Sequence, residues 1–267
     1  MTASTPPRLL SIAGSDSGGG AGIQADLKAF ARCGAHGMTA ITAITVQNTV
    51  AVSAVYPLPR EAIVGQVRAV VDDIGVDAVK VGMLGSVETI AAVAEALELV
   101  GQAPVVVDPV MVAESGARLL EPDAIEALRR SILPRAAVVT PNLPEARVLA
   151  GADEQTPPGD LARAIHALGP AAVVVTGGHA EPIADVFFDG GEPVAIPGER
   201  HPDGAAHGSG CTHSSALAAR LALGDTPLDA ARAARAVAAE AVRDGLRGIG
   251  AGAGPVDVFG LASPRAH

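Results

Sequence analysis

Short apolar runs alternate with segments whose apolar residues recur at helical spacing along nearly the whole chain. LLSIA (9–13) has the pattern of a buried strand, and AGIQADLKAFARCG (21–34) that of the helix after it. GMTAITAITVQ (37–47) is rich in β-branched residues and predicts one further strand. REAIVGQVRAVVDDIG (60–75), VETIAAVAEALELV (87–100) and DAIEALRRSI (123–132) carry the 3.6-residue period of amphipathic helices. VDAVKVGML (76–84), APVVVDPVM (103–111), RAAVVTPN (135–142) and PAAVVVTGG (170–178) are near-continuous apolar runs, the signature of strands covered on both faces. ADVFFDGGEPVAIPG (184–198) alternates around Asp-Gly and predicts a hairpin. Helices over 211–223 and 227–244 precede a glycine-rich tail. Strands separated by helices predict an α/β fold with a mostly parallel sheet. No linker or repeat divides the chain, so one domain over 1–267 is expected.

Composition narrows the functional classes. The 267 residues are 49% hydrophobic, ample for a large core and unlike a disordered chain. No apolar run approaches the roughly 18 residues of a membrane helix, and the N-terminus lacks a secretory pattern. Two cysteines, Cys33 and Cys211, build no disulfide framework. A cytoplasmic protein that does not contact membrane is expected. The net charge is −10, with no Trp and one Tyr, which argues against nucleic acid as a partner. Only Lys28 and Lys80 are lysines. A phosphate-bearing ligand would therefore rely on backbone N–H groups, helix N-termini and a metal ion.

In open α/β sheets ligands bind beyond the carboxyl ends of the strands, so the residues after each apolar run are the candidates. GSDSGGGAGIQADLK (14–28) follows the first strand, and its glycines let backbone N–H groups approach a ligand or simply make a tight connection. It fits neither dinucleotide nor P-loop register. Asp26, inside the following helix, could face solvent. Gln47 and Asn48 end a β-branched run, as amides for a heteroaromatic ring or as loop caps. Asp108, Asn142 and Glu145 stand at two further strand ends, where a carboxylate can hold a cation. For Glu145, behind Pro144, a first-turn helix position is the alternative. Thr176, Gly177, Gly178 and His179 close another strand.

HGSGCTHSSALAAR (207–220) is the most concentrated signal. Gly208, Ser209 and Gly210 precede Cys211, which is expected to begin a helix. Successive N–H groups and the helix dipole would make an anion hole suited to developing phosphoryl charge. The same dipole predicts a thiol pKa depressed from about 8.5, with Cys211 as proton acceptor. A small buried apolar side chain is the other reading. Zinc is disfavoured, because His207, Cys211 and His213 lack ligand spacing.

Taken in order, GSDSGGGAGIQADLK, TAITAITVQNT, VKVGML, VVVDPVM, TPNLPEA, TGGH, DVFFDG and HGSGCTHSSALAA resemble the hydroxymethylpyrimidine/phosphomethylpyrimidine kinases of thiamine biosynthesis, over nearly the whole chain. The resemblance implies a ribokinase-like three-layer α/β/α fold. It also implies transfer of the ATP γ-phosphate to the pyrimidine hydroxymethyl group, then to the monophosphate. It places Gly14, Asp26, Gln47 and Met83 around the pyrimidine. Gly208, Ser209 and Gly210 would form the anion hole, with Cys211 as general base. Asn142, Glu145, Thr176 and Gly178 fall on the ATP side, and Asp108 and Glu145 on Mg²⁺. Two departures stand out: Ser209 where Thr is commoner, and Thr176 where many members carry a phosphate-facing Lys. A homodimer acting on small molecules is expected. The alternatives are a pyridoxal-type kinase and a non-catalytic pyrimidine binder.

Overall fold

Strands made almost wholly of valine, alanine and isoleucine have no polar face to show to water, so helices must cover both sides of the sheet. The computed structural model of the chain describes residues 5–177, 183–202 and 204–262. In chain order the first elements are β1 (Arg8–Ala13), α1 (Gly22–Arg32), β2 (His36–Ile41), β3 (Ala43–Gln47), β4 (Val52–Pro57) and α2 (Arg60–Asp73). β5 (Ala78–Val81), α3 (Val87–Leu97), β6 (Val105–Val107), α4 (Ala124–Ser131), β7 (Val138–Val139), α5 (Leu143–Ala150) and α6 (Pro158–His166) follow. The last are β8 (Val173–Val175), β9 (Ala184–Phe188), β10 (Val194–Pro197), α7 (Ser209–Ala222) and α8 (Pro227–Arg243).

Eight strands form one sheet in the order β10-β9-β8-β7-β6-β5-β1-β2. The six from β8 to β2 pair in parallel, and the antiparallel β9–β10 hairpin extends one edge. Apolar residues of α2 to α6 pack on one face, around Ile12, Val79, Val81, Val107 and Val139. Those of α1, α7 and α8 pack on the other, around Leu9, Ala78, Val106, Val138 and Val174. These are the three layers the apolar runs demand. The chain leaves β1 first towards β2 and then returns to β5, so the strand order reverses between β1 and β5. That reversal opens a crevice at their carboxyl ends.

One expected element divides. The β-branched run 37–47 is two strands, β2 in the main sheet and β3 in a separate antiparallel pair with β4. Thr42 makes the break: its N–H donates to Ala13 O, and its hydroxyl donates to Met83 O across the crevice. The residues beyond it leave the sheet as a two-stranded flap. β4 and α6 lie in segments to which the apolar pattern assigned nothing. The 184–198 hairpin and α8 are as expected, whereas α7 begins at Ser209 rather than Cys211.

Candidate active site

The carboxyl end of β1 opens into the glycine-rich loop, and the loop's N–H groups turn inward. Asp16, 1% exposed, accepts from Gly18 N at 2.8 Å on Oδ1 and from Gly20 N and Ala21 N at 3.1 and 2.8 Å on Oδ2. His207 Nε2 lies 2.9 Å from the same Oδ2. Burial raises the Asp16 carboxyl, but these donors bring it below its ordinary value. Three of the loop's amides thus serve an internal anion instead of a ligand, which corrects the reading of this turn as a cradle of free N–H groups. The loop still shapes a pocket. A Cβ on Gly14 would sit 2.4 Å from Met83 Cε, so the two line one wall in contact. The Ser17 hydroxyl donates to Gln47 O and accepts from Gln47 N, fastening the flap to the loop. Among the described residues the Gln47 side-chain amide has no partner. Asn48 is a loop cap, its Oδ1 accepting from Val50 N and Ala51 N.

Beneath this pocket lies a buried charge cluster centred on a residue the motifs did not single out. Lys80, in the middle of β5, is fully buried. Its Nζ donates to Asp26 Oδ1 at 2.9 Å and lies 3.7 Å from Asp108 Oδ2. Asp26 also accepts from Ser11 Oγ and Ser215 Oγ, at 2.6 and 2.8 Å. A solvent-facing Asp26 is ruled out, because its exposure is zero and its carboxylate is fully engaged. Burial disfavours the Lys80 charge, yet Asp26 and Asp108 outweigh it and the ammonium is held more firmly than usual. A lone lysine inside an apolar strand run, VDAVKVGML, was the available signal.

Across the crevice the carboxylates at the ends of β6 and β7 are less well paired. Asn142 and Glu145 form a capping box on α5: Asn142 Oδ1 accepts from Glu145 N, and Glu145 Oε2 from Asn142 N. Glu145 Oε1 accepts from Met111 N at 3.3 Å. Burial, then the nearby Asp108 charge, pushes Glu145 up to about 8 despite those amides. Burial and Asp26 raise Asp108 as well, against the pull of Lys80 and of Ser214 Oγ at 3.1 Å. Thr176 continues β8, its N–H donating to Pro141 O. Gly178 and His179 lie outside the described residues. Asp185, wholly buried and missed by sequence reasoning, accepts Gly177 N and Arg235 Nη1 on Oδ1. Its Oδ2 and both ring nitrogens of buried His213 have no hydrogen-bond partner among the described residues.

The turn before α7 faces both groups. Gly208 is the N-cap, with φ +85°, a left-handed conformation that favours glycine. Ser209 N donates to Ala206 O, which leaves the amides of Gly210 and Cys211, in the helix's first turn, for an anion. Cys211 is partly exposed as a residue. Its thiol departs from expectation. Burial, with Asp108 and Asp26 adding to it, pushes the pKa up to about 12 against the opposing pull of Lys80. Burial is the largest cause, and the ligand-free thiol keeps its proton.

Unbonded amides at a helix mouth and crowded carboxylates along one sheet edge fit the needs of a phosphoryl-transfer enzyme. The phosphomethylpyrimidine kinase model matches residues 16–257. The hydroxymethylpyrimidine/phosphomethylpyrimidine kinase of Rhizobium meliloti is 49% identical, over 94% of this chain and 96% of that protein. That of Streptomyces coelicolor is 46% identical, over 95% and 94%. Among solved structures, the ADP complex of Bacillus subtilis pyridoxal kinase superposes with a TM-score of 0.88 at 38% identity, covering 97% of this chain and all of that one. Clostridium difficile phosphomethylpyrimidine kinase gives 0.78 at 39%, over 88% and 99%. Fold and site together define a ribokinase-like kinase. The chain belongs to the phosphomethylpyrimidine kinase family.

Proposed function

We propose that the chain transfers the γ-phosphoryl group of ATP to 4-amino-5-hydroxymethyl-2-methylpyrimidine, then a second one to the resulting monophosphate, in the cytoplasm and for thiamine biosynthesis. The whole chain acts as one kinase domain. The observation that carries this reading is the close approach of the two glycine-rich segments: a Cβ on Gly208, at the mouth of α7, would lie 1.8 Å from Gly20 O, two residues before α1. It brings the pocket after β1 against the mouth of α7, where a hydroxymethyl arm would meet a phosphoryl group. Gln47 supplies a donor and an acceptor for the aminopyrimidine edge, and Gly14 and Met83 pack on the ring. Asp26 acts from below, through Lys80 and Ser215. The Gly210 and Cys211 amides, within the Gly208–Cys211 turn, stabilise charge on the transferred group. Cys211 takes the hydroxyl proton, in the fraction of sites whose thiol proton has left, so the first transfer quickens as pH rises from neutrality.

ATP lies along Asn142, Glu145, Thr176 and Gly178. Asp108 and Glu145 fit Mg²⁺: both are hard oxygen donors, and burial beside Asp108 keeps Glu145 protonated near neutrality, a cost a bound cation would relieve. Two carboxylates make no closed metal cage, so the phosphates and waters complete the site. Bound there, Mg²⁺ neutralises phosphate charge. Chelation should abolish turnover and added Mg²⁺ restore it.

Among the described residues no helix is long and apolar enough to cross a membrane. The β3–β4 flap exposes Ile44, Val46 and Tyr56 on one side, an apolar face that supports a homodimer formed there. Sedimentation of Tyr56→Glu at half the wild-type mass would bear this out; an unchanged mass would refute it.

Pyridoxal phosphorylation is the second reading, favoured by the structural likeness to pyridoxal kinases of Bacillus subtilis and Staphylococcus aureus, the latter at TM-score 0.87. The deciding experiment incubates the chain with Mg-ATP and either substrate and resolves mono- from diphosphate. Pyrimidine diphosphate as the faster product supports the proposal. Faster pyridoxal phosphate with no pyrimidine product overturns it.

A further inference from the structure

Two glycine-rich segments, 191 residues apart at Asp16 and His207, interlock at the centre of this site. A Cβ on Gly208 would lie 1.8 Å from Gly20 O, and one on Gly20 would lie 2.2 Å from His207 Cδ2. Neither position admits a side chain without moving the other segment. At the point of contact the Asp16 carboxylate gathers Gly18 N, Gly20 N, Ala21 N and His207 Nε2, and Asp16 N donates to Gln24 Oε1 at 2.8 Å. His207 is fixed from behind as well. Its N–H donates to Gly254 O, and its carbonyl accepts Val256 N at 3.1 Å. Both side chains are buried, and the proposed mechanism uses neither.

The placement matters more than the bond. Asp16 belongs to the loop that begins at Gly14 and holds Gln47 through Ser17, the pyrimidine side. His207 immediately precedes Gly208, the phosphoryl side. We propose that Asp16 and His207 form a pin that keeps these two halves in register, and so are positioning residues for the phosphoryl transfer. The proposal rests on the function proposed above. Reacting atoms must sit about 3–3.5 Å apart, and a displacement of about 1 Å can lower a rate on the order of 10²-fold. A loosened loop would also let water replace the hydroxymethyl oxygen, so that ATP is hydrolysed to ADP and phosphate without pyrimidine product.

The test compares His207→Gln, whose amide nitrogen can reach the position of Nε2, with His207→Asn, which keeps the chemistry but is too short to reach Asp16. For His207→Asn, kcat for pyrimidine phosphorylation should fall on the order of 10²-fold, with KM for ATP within about twofold of wild type. ADP formed per phosphorylated pyrimidine should rise above one. His207→Gln should recover at least tenfold of the loss and restore the ratio. A purely structural role would lower the melting temperature of both variants and leave the ratio at one, which overturns the proposal. Wild-type kcat and ratio in a folded His207→Asn overturn it too. If His207→Asn does not fold, His207→Gln decides alone: a normal ratio and near-wild-type kcat support the pin, and a raised ratio refutes it. A wild-type chain without pyrimidine product would instead remove the functional reading beneath it.

Discussion

The glycine-rich loop and the sheet edge around Asp108 and Glu145 use buried polar groups in opposite ways. In the loop, Asp16 collects four donors and its carboxyl lies below the ordinary value. Under it, Asp26 is met by two serines and Lys80. Across the crevice Glu145 is pushed up to about 8, Asp108 is raised, and Asp185 Oδ2 and His213 Nε2 face each other at 3.6 Å without a hydrogen bond among the described residues. A buried carboxylate without compensation takes up a proton. The loop's carboxylates are therefore satisfied by the protein itself, whereas the far edge holds protons that, in the proposed function, a cation and its phosphates would displace. Cys211 lies between them and shares the second condition.

The sharpest way to break this comparison is at the thiol. If Cys211 accepts the hydroxyl proton, Cys211→Ala should cut the first transfer by about 10²–10⁴-fold. The second transfer should suffer far less, because its nucleophile is a phosphate oxygen that is largely ionised at neutral pH and has little need of a base. Rate constants for the two steps, measured from each substrate, check this. Equal losses would assign Cys211 to positioning alone.

Lys80 tests the floor on which both sides stand. Lys80→Met leaves Asp26 and Asp108 buried without their cation, and breaking a buried pair in this way costs about 3–5 kcal/mol. Denaturant unfolding should show that loss. A change below about 1 kcal/mol would mean that the aspartates are already protonated and the floor is not ionic.

Gln47→Leu sharpens the pyrimidine side. Leaving a ligand donor and acceptor unmet costs about 1–3 kcal/mol, on the order of tenfold to a hundredfold in pyrimidine affinity, with ATP binding spared. Calorimetric titration separates the two ligands, and unchanged pyrimidine affinity would move the ring away from Gln47.

Much of the frame was legible in the apolar runs. The valine runs around positions 79, 106, 138 and 174 became the central strands because few other elements tolerate burial on both faces. The break at Thr42 was not, because TAITAIT is strand-like throughout and the interruption depends on Met83 O and Ala13 O, distant in sequence. The glycines near Asp16 marked a close approach, but what they approach is His207, 191 residues away. The helix mouth at Cys211 was visible. Its proton affinity was not, since that is set first by burial, with Asp108 and Asp26 adding to it, and only the folded sheet brings these about. Lys80 was readable as an anomaly in an apolar run, and its two partners were not.

The account stands most directly on the state of the Cys211 thiol in the ligand-free chain. Alkylation by iodoacetamide, followed from pH 6 to 11 in a Cys33→Ser background, reports the thiolate fraction. With the pKa pushed up to about 12 by burial and the two aspartates, the rate should be slow at neutral pH and climb about tenfold per pH unit without levelling below pH 10. A plateau reached near neutrality would show a thiolate already formed, and would contradict the claim that this side of the site holds its protons until ligands arrive.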